Sequence, residues 1–521
     1  MSEHKKTRGG STARRMPGAF EDLFFLPSVM DTSAVEAALP GFSVVVEQDS
    51  EAKPFSLLDC HDQSLRAKGW MLIEIGDALQ LLQKEQRPLF QNCSGKGRFI
   101  QDLPSGEVQA ALRDFPKLRA LMQIGAGKLE EKNFVVLDEL QKTQVRGVIW
   151  SMTSTSGQAT LVRLQRLRGY ERTYQKVSTA FADLPDCAKD VEALYAGLFP
   201  GMETYRAKPD IQLGRAEPSI EVAADIIHTY LKVARQNESG MVADIDTEFL
   251  HDYRVSLRKI RSVISLFKGV FSEDQTVELK RVFSDIMAPT GRMRDLDVYL
   301  LEKDMYFNLI PEHLHSGLQA MFDRFQSERG QELSRLSRRL RSKAYATSMK
   351  HLIETFDGIG QLQPGPNADR GAYDYACALI WKRYRKVCKI ARGITDDTPD
   401  ETVHNLRIDC KKLRYLMEFF APLFDAKGFK LILKPLKKLQ DNLGLFNDYS
   451  VQQEALLAFV SQQSNTQGRV DAQVGLAVGG LIAVLDQRQK SERSRVIASF
   501  QHFDSPETRN LFRSLFHDKE E

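Results

Sequence analysis

Two segments of the chain carry the same pattern of cations 153 positions apart. His251, Arg254, Arg258, Lys259 and Arg261 fall in step with His404, Arg407, Lys411, Lys412 and Arg414. The same register, without a gap, carries Gly291 and Asp295 onto Gly444 and Asp448, and Arg281 onto Lys434. Two separate motifs in one register mark a duplicated unit, and a duplicated unit is one that can pack against its own copy. From position 218 onward long segments have a helical period and strand-type runs disappear. A Gly/Pro-rich break at 358–369 divides this region. The expectation is an all-α domain over 218–516, built as two pseudo-symmetric helical bundles, with repeat one at 218–357 and repeat two at 370–516. In the second repeat, separate helices are expected at 430–443 and 449–463.

On a helix at about 100° per residue, His251, Arg254, Arg258 and Arg261 fall within roughly an 80° arc. Lys259 stands apart from it, and Tyr253, Leu257, Ile260, Ile264 and Phe267 gather on the opposite side. The second copy sets His404, Arg407, Lys411 and Arg414 against Leu406, Leu413, Met417 and Phe420. Like charges one turn apart destabilise a helix by roughly 0.2–0.5 kcal/mol per pair. Solvated helices usually mix signs, so a single-sign stripe points to an anionic partner. The arginine fork suits phosphate oxygens. Asp295 and Asp448 are expected either to cap a helix or to orient a motif arginine from behind, and the second role is preferred. Arg281, Lys434, Lys437 and Lys438, on the neighbouring helix, form a second tier. Ser284 and Asp285 stand opposite Lys437 and Lys438, so binding is expected to be asymmetric.

The region before the helices has a different texture. Residues 1–18 read as a disordered basic tail, 19–200 as an α+β domain with an antiparallel sheet, and 201–217 as a linker. Strands are expected at 42–47, 70–75, 78–82, 133–137, 145–152 and 160–167, and helices at 112–122 and 177–198. Over all 521 residues, 72 Lys+Arg against 69 Asp+Glu give a net charge of only +3, so anion binding must come from local patterning. The six cysteines form no CxxC pair, which argues against a zinc site and a disulfide framework. The run 474–485 is too short for a membrane span, which needs about 20 residues, and reads as a buried helix. No signal peptide is visible, and a cytoplasmic protein is expected.

The H-x-x-R-[VI]-x-x-[RK]-K-x-R helix, present twice and followed by a basic helix ending in G-x-x-x-D, resembles the CHAD domain, the conserved-histidine α-helical domain. The resemblance implies basic helices converging on a central groove, binding of inorganic polyphosphate and association with polyphosphate granules. By position, it implies His251, Arg254, Arg258, Lys259 and Arg261 with His404, Arg407, Lys411, Lys412 and Arg414 as binding residues. Upstream, the stretch from Leu58 and Asp59 through Leu65 and Gly69 to Leu72 resembles the CYTH family, a triphosphate tunnel fold, in a divergent form with Cys60 at a threonine position.

The tunnel family's chemistry needs carboxylates on inward strand faces to hold a divalent metal, and basic residues to clamp phosphates. Here its paired arginines align with Ile73 and Ile75, and its closing acids with Arg163 and Gln165. Arg163, Arg166 and Arg168 are read as a solvated face. No catalytic residue, metal ligand or cofactor is therefore assigned, and a non-enzymatic polyphosphate binder is the leading reading. A metal-dependent triphosphatase or polyphosphatase acting through the N-terminal domain is the first alternative. A nucleic-acid binder is the second, weakened because the motif faces offer no aromatics for base stacking. The N-terminal domain leaves room for a protein partner.

Overall fold

The computed structural model describes residues 22–30, 32–47, 51–83, 86–93, 97, 99–395, 397–467 and 471–517. The basic tail at 1–18 and most of the Gly95–Gly97 turn lie outside the described residues. The chain divides after Arg206 into two compact units. Residues 201–217, where the division falls, carry no helix or strand.

The first unit is one antiparallel sheet. Its strands are β1 (Asp22–Leu26), β2 (Phe42–Val46), β3 (Lys53–Asp59), β4 (Trp70–Ile75), β5 (Ala78–Gln83), β6 (Leu89–Asn92), β7 (Met122–Asp138), β8 (Thr143–Thr153) and β9 (Gln158–Arg166). They run in the order β1-β9-β8-β7-β3-β4-β5-β6, with β2 also on β7. The sheet curls into a half-barrel, compatible with a CYTH-like tunnel fold. Its helices are α1 (Thr32–Ala37), α2 (Ser64–Ala67), α3 (Glu107–Leu112), α4 (Glu171–Ala182) and α5 (Glu192–Leu198). Alternation along the strands splits the core by face. Phe24, Phe134, Ile149 and Val162 pack with α4, whereas Phe25, Ile73, Trp150 and Leu161 pack with α5.

Two helix expectations fail here because of proline. The helix expected at 112–122 ends at Leu112, since Pro116 disfavours helical backbone at Phe115. That expected at 177–198 is two helices, α4 and α5. Between them lie Pro185 and Asp186, the latter at φ 58°. The first half of β7 escapes a pattern search because Gly125 and Gly127 interrupt it. Those glycines admit close neighbours: a Cβ would stand 2.4 Å from the Phe199 ring at Gly125, and 2.1 Å from the Thr153 carbonyl at Gly127.

The second unit is helical: α6 (Ser219–Val242), α7 (Thr247–Leu266), α8 (Glu273–Met287), α9 (Gly291–Leu301), α10 (Lys303–Phe307), α11 (His315–Leu340), α12 (Lys343–Thr355), α13 (Ala372–Arg392), α14 (Asp400–Phe420), α15 (Ala426–Gln467), α16 (Ala472–Phe503) and α17 (Pro506–Phe516). The first three helices of each repeat start 153 residues apart: Ser219 and Ala372, Thr247 and Asp400, Glu273 and Ala426. Pairs of equivalent residues meet each other. Pro218 bridges Gly371, the Phe267 and Phe420 rings stack at 4.8 Å, and the Tyr299 hydroxyl approaches the Gln452 carbonyl at 3.5 Å. Equivalent residues in mutual contact trace a pseudo-twofold axis.

The repeats are not independent bundles. One core cluster joins Leu296, Tyr306, Phe322 and Phe325 of repeat one to Leu456, Val478, Leu481 and Leu485 of repeat two. The buried run 474–485 is the start of α16. The helices expected at 430–443 and 449–463 are one continuous helix, α15. Repeat one breaks at the corresponding place into a short 3-10 turn, Ala288–Thr290, because Pro289 removes a backbone donor. Repeat two has no proline there, and Gly444 alone costs a helix interior only about 1 kcal/mol.

Candidate anion-binding site

The site forms where α7 and α14 meet on the pseudo-twofold axis. Each helix buries its apolar stripe: Tyr253, Leu257, Ile260 and Ile264 on α7, and Leu406, Leu413, Met417 and Phe420 on α14. Asp246 caps α7 by accepting from the Glu248 and Phe249 amides, which fixes where the cationic stripe begins. Equivalent residues Arg258 and Lys411 are electrostatic neighbours across the axis, with Arg407 and Arg414 beside them. Burial and these three arginines together push the Lys411 ammonium down to about 8, with Asp448 opposing. Burial also lowers Arg254, helped by Arg258 and Arg294 and opposed by Asp295. Arg258 has a buried Nε without a hydrogen bond. Charges of one sign are thus concentrated in partly dehydrated surroundings, where they repel one another.

The supporting contacts differ between repeats. Arg407 Nη2 lies 3.5 Å from Asp448, and Arg254 Nη1 donates to Thr290 Oγ1 at 2.5 Å. Asp448 therefore stands beside a motif arginine, whereas Arg254 meets a hydroxyl instead. Neither aspartate caps a helix, since both lie inside one, Asp295 in α9 and Asp448 in α15. His404 is exposed, and its Nδ1 meets Asn447 Oδ1 at 2.5 Å. His251 is half-buried on α7. Arg261 is exposed, with Nη1 against Met287 Sδ at 3.4 Å, and Arg414 Nε sits 3.2 Å from Glu418.

Two implied binding residues stand outside the cluster. Lys259 is ion-paired to Glu418 of α14, with its ammonium 4.7 Å from the Tyr415 ring and 5.1 Å from that of Phe419. It ties the two motif helices together. Ser265 holds the position equivalent to Glu418, so Lys412 has no matching acid in repeat one. Burial lowers Lys412, and its charged neighbours are Asp409, Arg383, Lys386 and Lys268.

The second tier is unequal. Arg281 is neutralised on its own helix by Glu278 at 2.7 Å and Asp285 at 3.1 Å. Lys434, Lys437 and Lys438 are exposed on α15. At about 100° per residue they share a face with Lys427, Lys430 and Asp448, and those two lysines are also exposed. Sequence reading passed over both, and also over Arg294. This arginine acts on Arg254 and keeps a buried Nη1 without a hydrogen bond. Its repeat mate is Asn447, so comparing cations between the copies hides it.

The family model of the CHAD domain matches residues 225–457. These residues form a CHAD domain. Two solved structures resemble the chain. The CHAD domain from the plant Ricinus communis is 23% identical and covers 58% of this chain and 97% of its own, with a TM-score of 0.47. PptA from Streptomyces chartreusis is 14% identical and covers 55% and 100%, with a TM-score of 0.43. No curated protein matches the chain. No helix among the described residues is long and apolar enough to cross a membrane.

In the sheet unit, Ile73 is fully buried and Ile75 packs beside it in the apolar core that also holds Trp150 and α5. Arg163 is 3% exposed, so it is not part of a solvated face. Its guanidinium lies 4.5 Å from the Trp150 ring and 3.5 Å from Glu131, and burial pushes it down to about 10. Among the described residues no three His, Cys, Asp or Glu side chains are grouped to hold a metal ion.

Proposed function

We propose that the protein binds inorganic polyphosphate without turning it over, through the cationic cluster on the pseudo-twofold axis of its CHAD domain. The carrying observation is the crowding of Arg258, Arg407, Arg414 and Lys411 at one place, where burial first and the three arginines second depress the lysine to about 8. Such a cluster gains most from a flexible chain that offers many phosphates at once. The α15 lysines extend it along one side. The general association of CHAD domains with polyphosphate agrees with this reading, and binding of this kind would place the protein at polyphosphate granules.

The non-catalytic part rests on the sheet unit. By the CYTH resemblance, Ile73 and Ile75 align with the phosphate-clamping arginines of a tunnel triphosphatase, and Arg163 with one of its metal-binding acids. Each replacement removes or reverses a charge that the chemistry needs. Purified protein titrated with long-chain polyphosphate at two salt concentrations tests both parts, with RNA as control and phosphate release followed with and without Mg²⁺. Binding should weaken steeply with salt. Arg254→Ala/Arg258→Ala/Arg407→Ala/Lys411→Ala should weaken it and flatten the salt slope by about 3. Mg²⁺-dependent phosphate release would support the triphosphatase instead.

A further inference from the structure

A second basic groove lies between α13 and α17, with a cavity of about 1020 Å³. Lys382, Arg385, Lys389, Arg392, Arg509 and Arg513 line it, with Trp381 at one end, and it shares no lining residue with the axial cluster. No acidic side chain lines it among the described residues. Some of these cations have local explanations. Arg392 pairs with Asp504 at 2.9 Å, and Arg509 reaches the same carboxylate at 3.9 Å. Lys389 and Arg392 also complement the negative end of the α13 dipole. Lys382 and Arg385 are mid-helix, and Arg513 is on the other wall. These three and Lys389 are exposed and make no ion pair among the described residues.

The repeat supplies a control. Helix α6 is the repeat-one counterpart of α13, and it carries Thr229, Lys232, Gln236 and Ser239 where α13 has Lys382, Arg385, Lys389 and Arg392. The bundle therefore does not require the stripe. Helix α17 also lies beyond the CHAD match at 225–457, so one wall of the groove is supplied from outside the matched domain.

We propose that the groove between α13 and α17 is a second polyphosphate-binding tract, independent of the axial cluster; the ligand class rests on the reading above. From Lys382 to Arg392 the stripe runs about 15 Å at 1.5 Å per residue. That suits an extended chain of phosphates better than a compact anion. Its two aromatics are a poor platform for successive bases, since Tyr384 is buried and stacked on Phe512 at 3.9 Å and Trp381 already has His517 4.8 Å from its ring.

Calorimetric titration of the full chain with short-chain polyphosphate tests this. The wild type should show two sites. Lys382→Ala/Arg385→Ala/Lys389→Ala/Arg513→Ala should leave one, and the axial quadruple variant should leave the other. With long chains, each variant should lose about tenfold in affinity, because one chain can no longer span both sites. Trp381→Ala should bind polyphosphate as the wild type does. The four groove substitutions are at exposed positions, and an unchanged melting curve verifies folding. A groove variant with wild-type stoichiometry and affinity would overturn the proposal, as would an axial variant that binds nothing. Loss of a single-stranded oligonucleotide in the groove variant, with polyphosphate binding kept, would overturn it in favour of nucleic acid. An axial variant with unaltered binding would sink the axial reading and leave the groove standing.

Discussion

Lys411 and Asp59 show how a buried charge reads out in solution. With the Lys411 ammonium at about 8, the folded state holds its proton less firmly than the unfolded chain does. Its burial thus costs stability below that value, and the cost is relieved as pH rises from about 8 toward 10.5. A bound polyanion reverses the preference by stabilising the ammonium. Polyphosphate affinity should therefore fall as pH rises from about 7 to 9, with proton uptake on binding in the upper part of that range. Lys411→Arg stays charged throughout and should flatten the profile. Titrations across the range measure this, and an affinity indifferent to pH would refute it. Asp59 is fully buried at the end of β3, and its carboxylate accepts from the amides of Cys60, Leu65 and Arg66 at 2.7–3.0 Å. Burial outweighs these bonds and pushes its carboxyl up to about 6. The protonated form is thus favoured on folding, and this stabilisation is lost as pH rises from about 4 through 6. Asp59→Ala strands three amide donors and should cost roughly 1–3 kcal/mol, read by denaturant unfolding.

At the scale of elements, the tie between α7 and α14 depends on one acid. Glu418 serves Lys259 from the other repeat and Arg414 from its own helix. Glu418→Ala should destabilise the helical unit by roughly 1–3 kcal/mol, because Lys259 is left partly buried without its partner. Helix α15 gives the opposite case. Gly444 sits mid-helix with nothing within 4 Å of a Cβ. Gly444→Ala should stabilise by about 0.5–1 kcal/mol through a less flexible unfolded chain, as a rise in melting temperature. Gly317→Ala should do the reverse, since its Cβ would stand 2.1 Å from the Gln473 carbonyl where α11 meets α16. These elements also show where the sequence is legible. The duplication fixes equivalent helix starts, and the wheel already sets Lys259 apart from the cationic arc. The wheel cannot say what Lys259 meets, because Glu418 comes from the other copy. The fused α15 was hidden because a glycine ends helices elsewhere. Strands β1, β3 and β6 were missed because they are short or, in β3, begin beside Pro54.

For the molecule as a whole, the pseudo-twofold axis brings cations and core residues of both repeats together. Arg258 comes from repeat one, Lys411, Arg407 and Arg414 from repeat two, and the shared core from both. A ligand on the axis therefore touches helices from both copies. It stabilises the state in which they are docked, by about 2.7 kcal/mol when present at 100 times its dissociation constant. The sheet unit has its own two-faced core, with α4 on one side and α5 on the other. Saturating polyphosphate should raise hydrogen-exchange protection in α7, α14 and the first half of α15, and in α13 and α17 if the outer groove fills. The strands β3, β4, β8 and β9 should exchange as in the free protein. Protection confined to one repeat would mean that the axial cluster is not the site. Protection of β8 and β9 around Arg163 would mean that the sheet unit itself takes phosphate, and the non-catalytic reading would have to be retested there. Exchange followed over both units in one experiment separates these outcomes, because local opening is reported segment by segment.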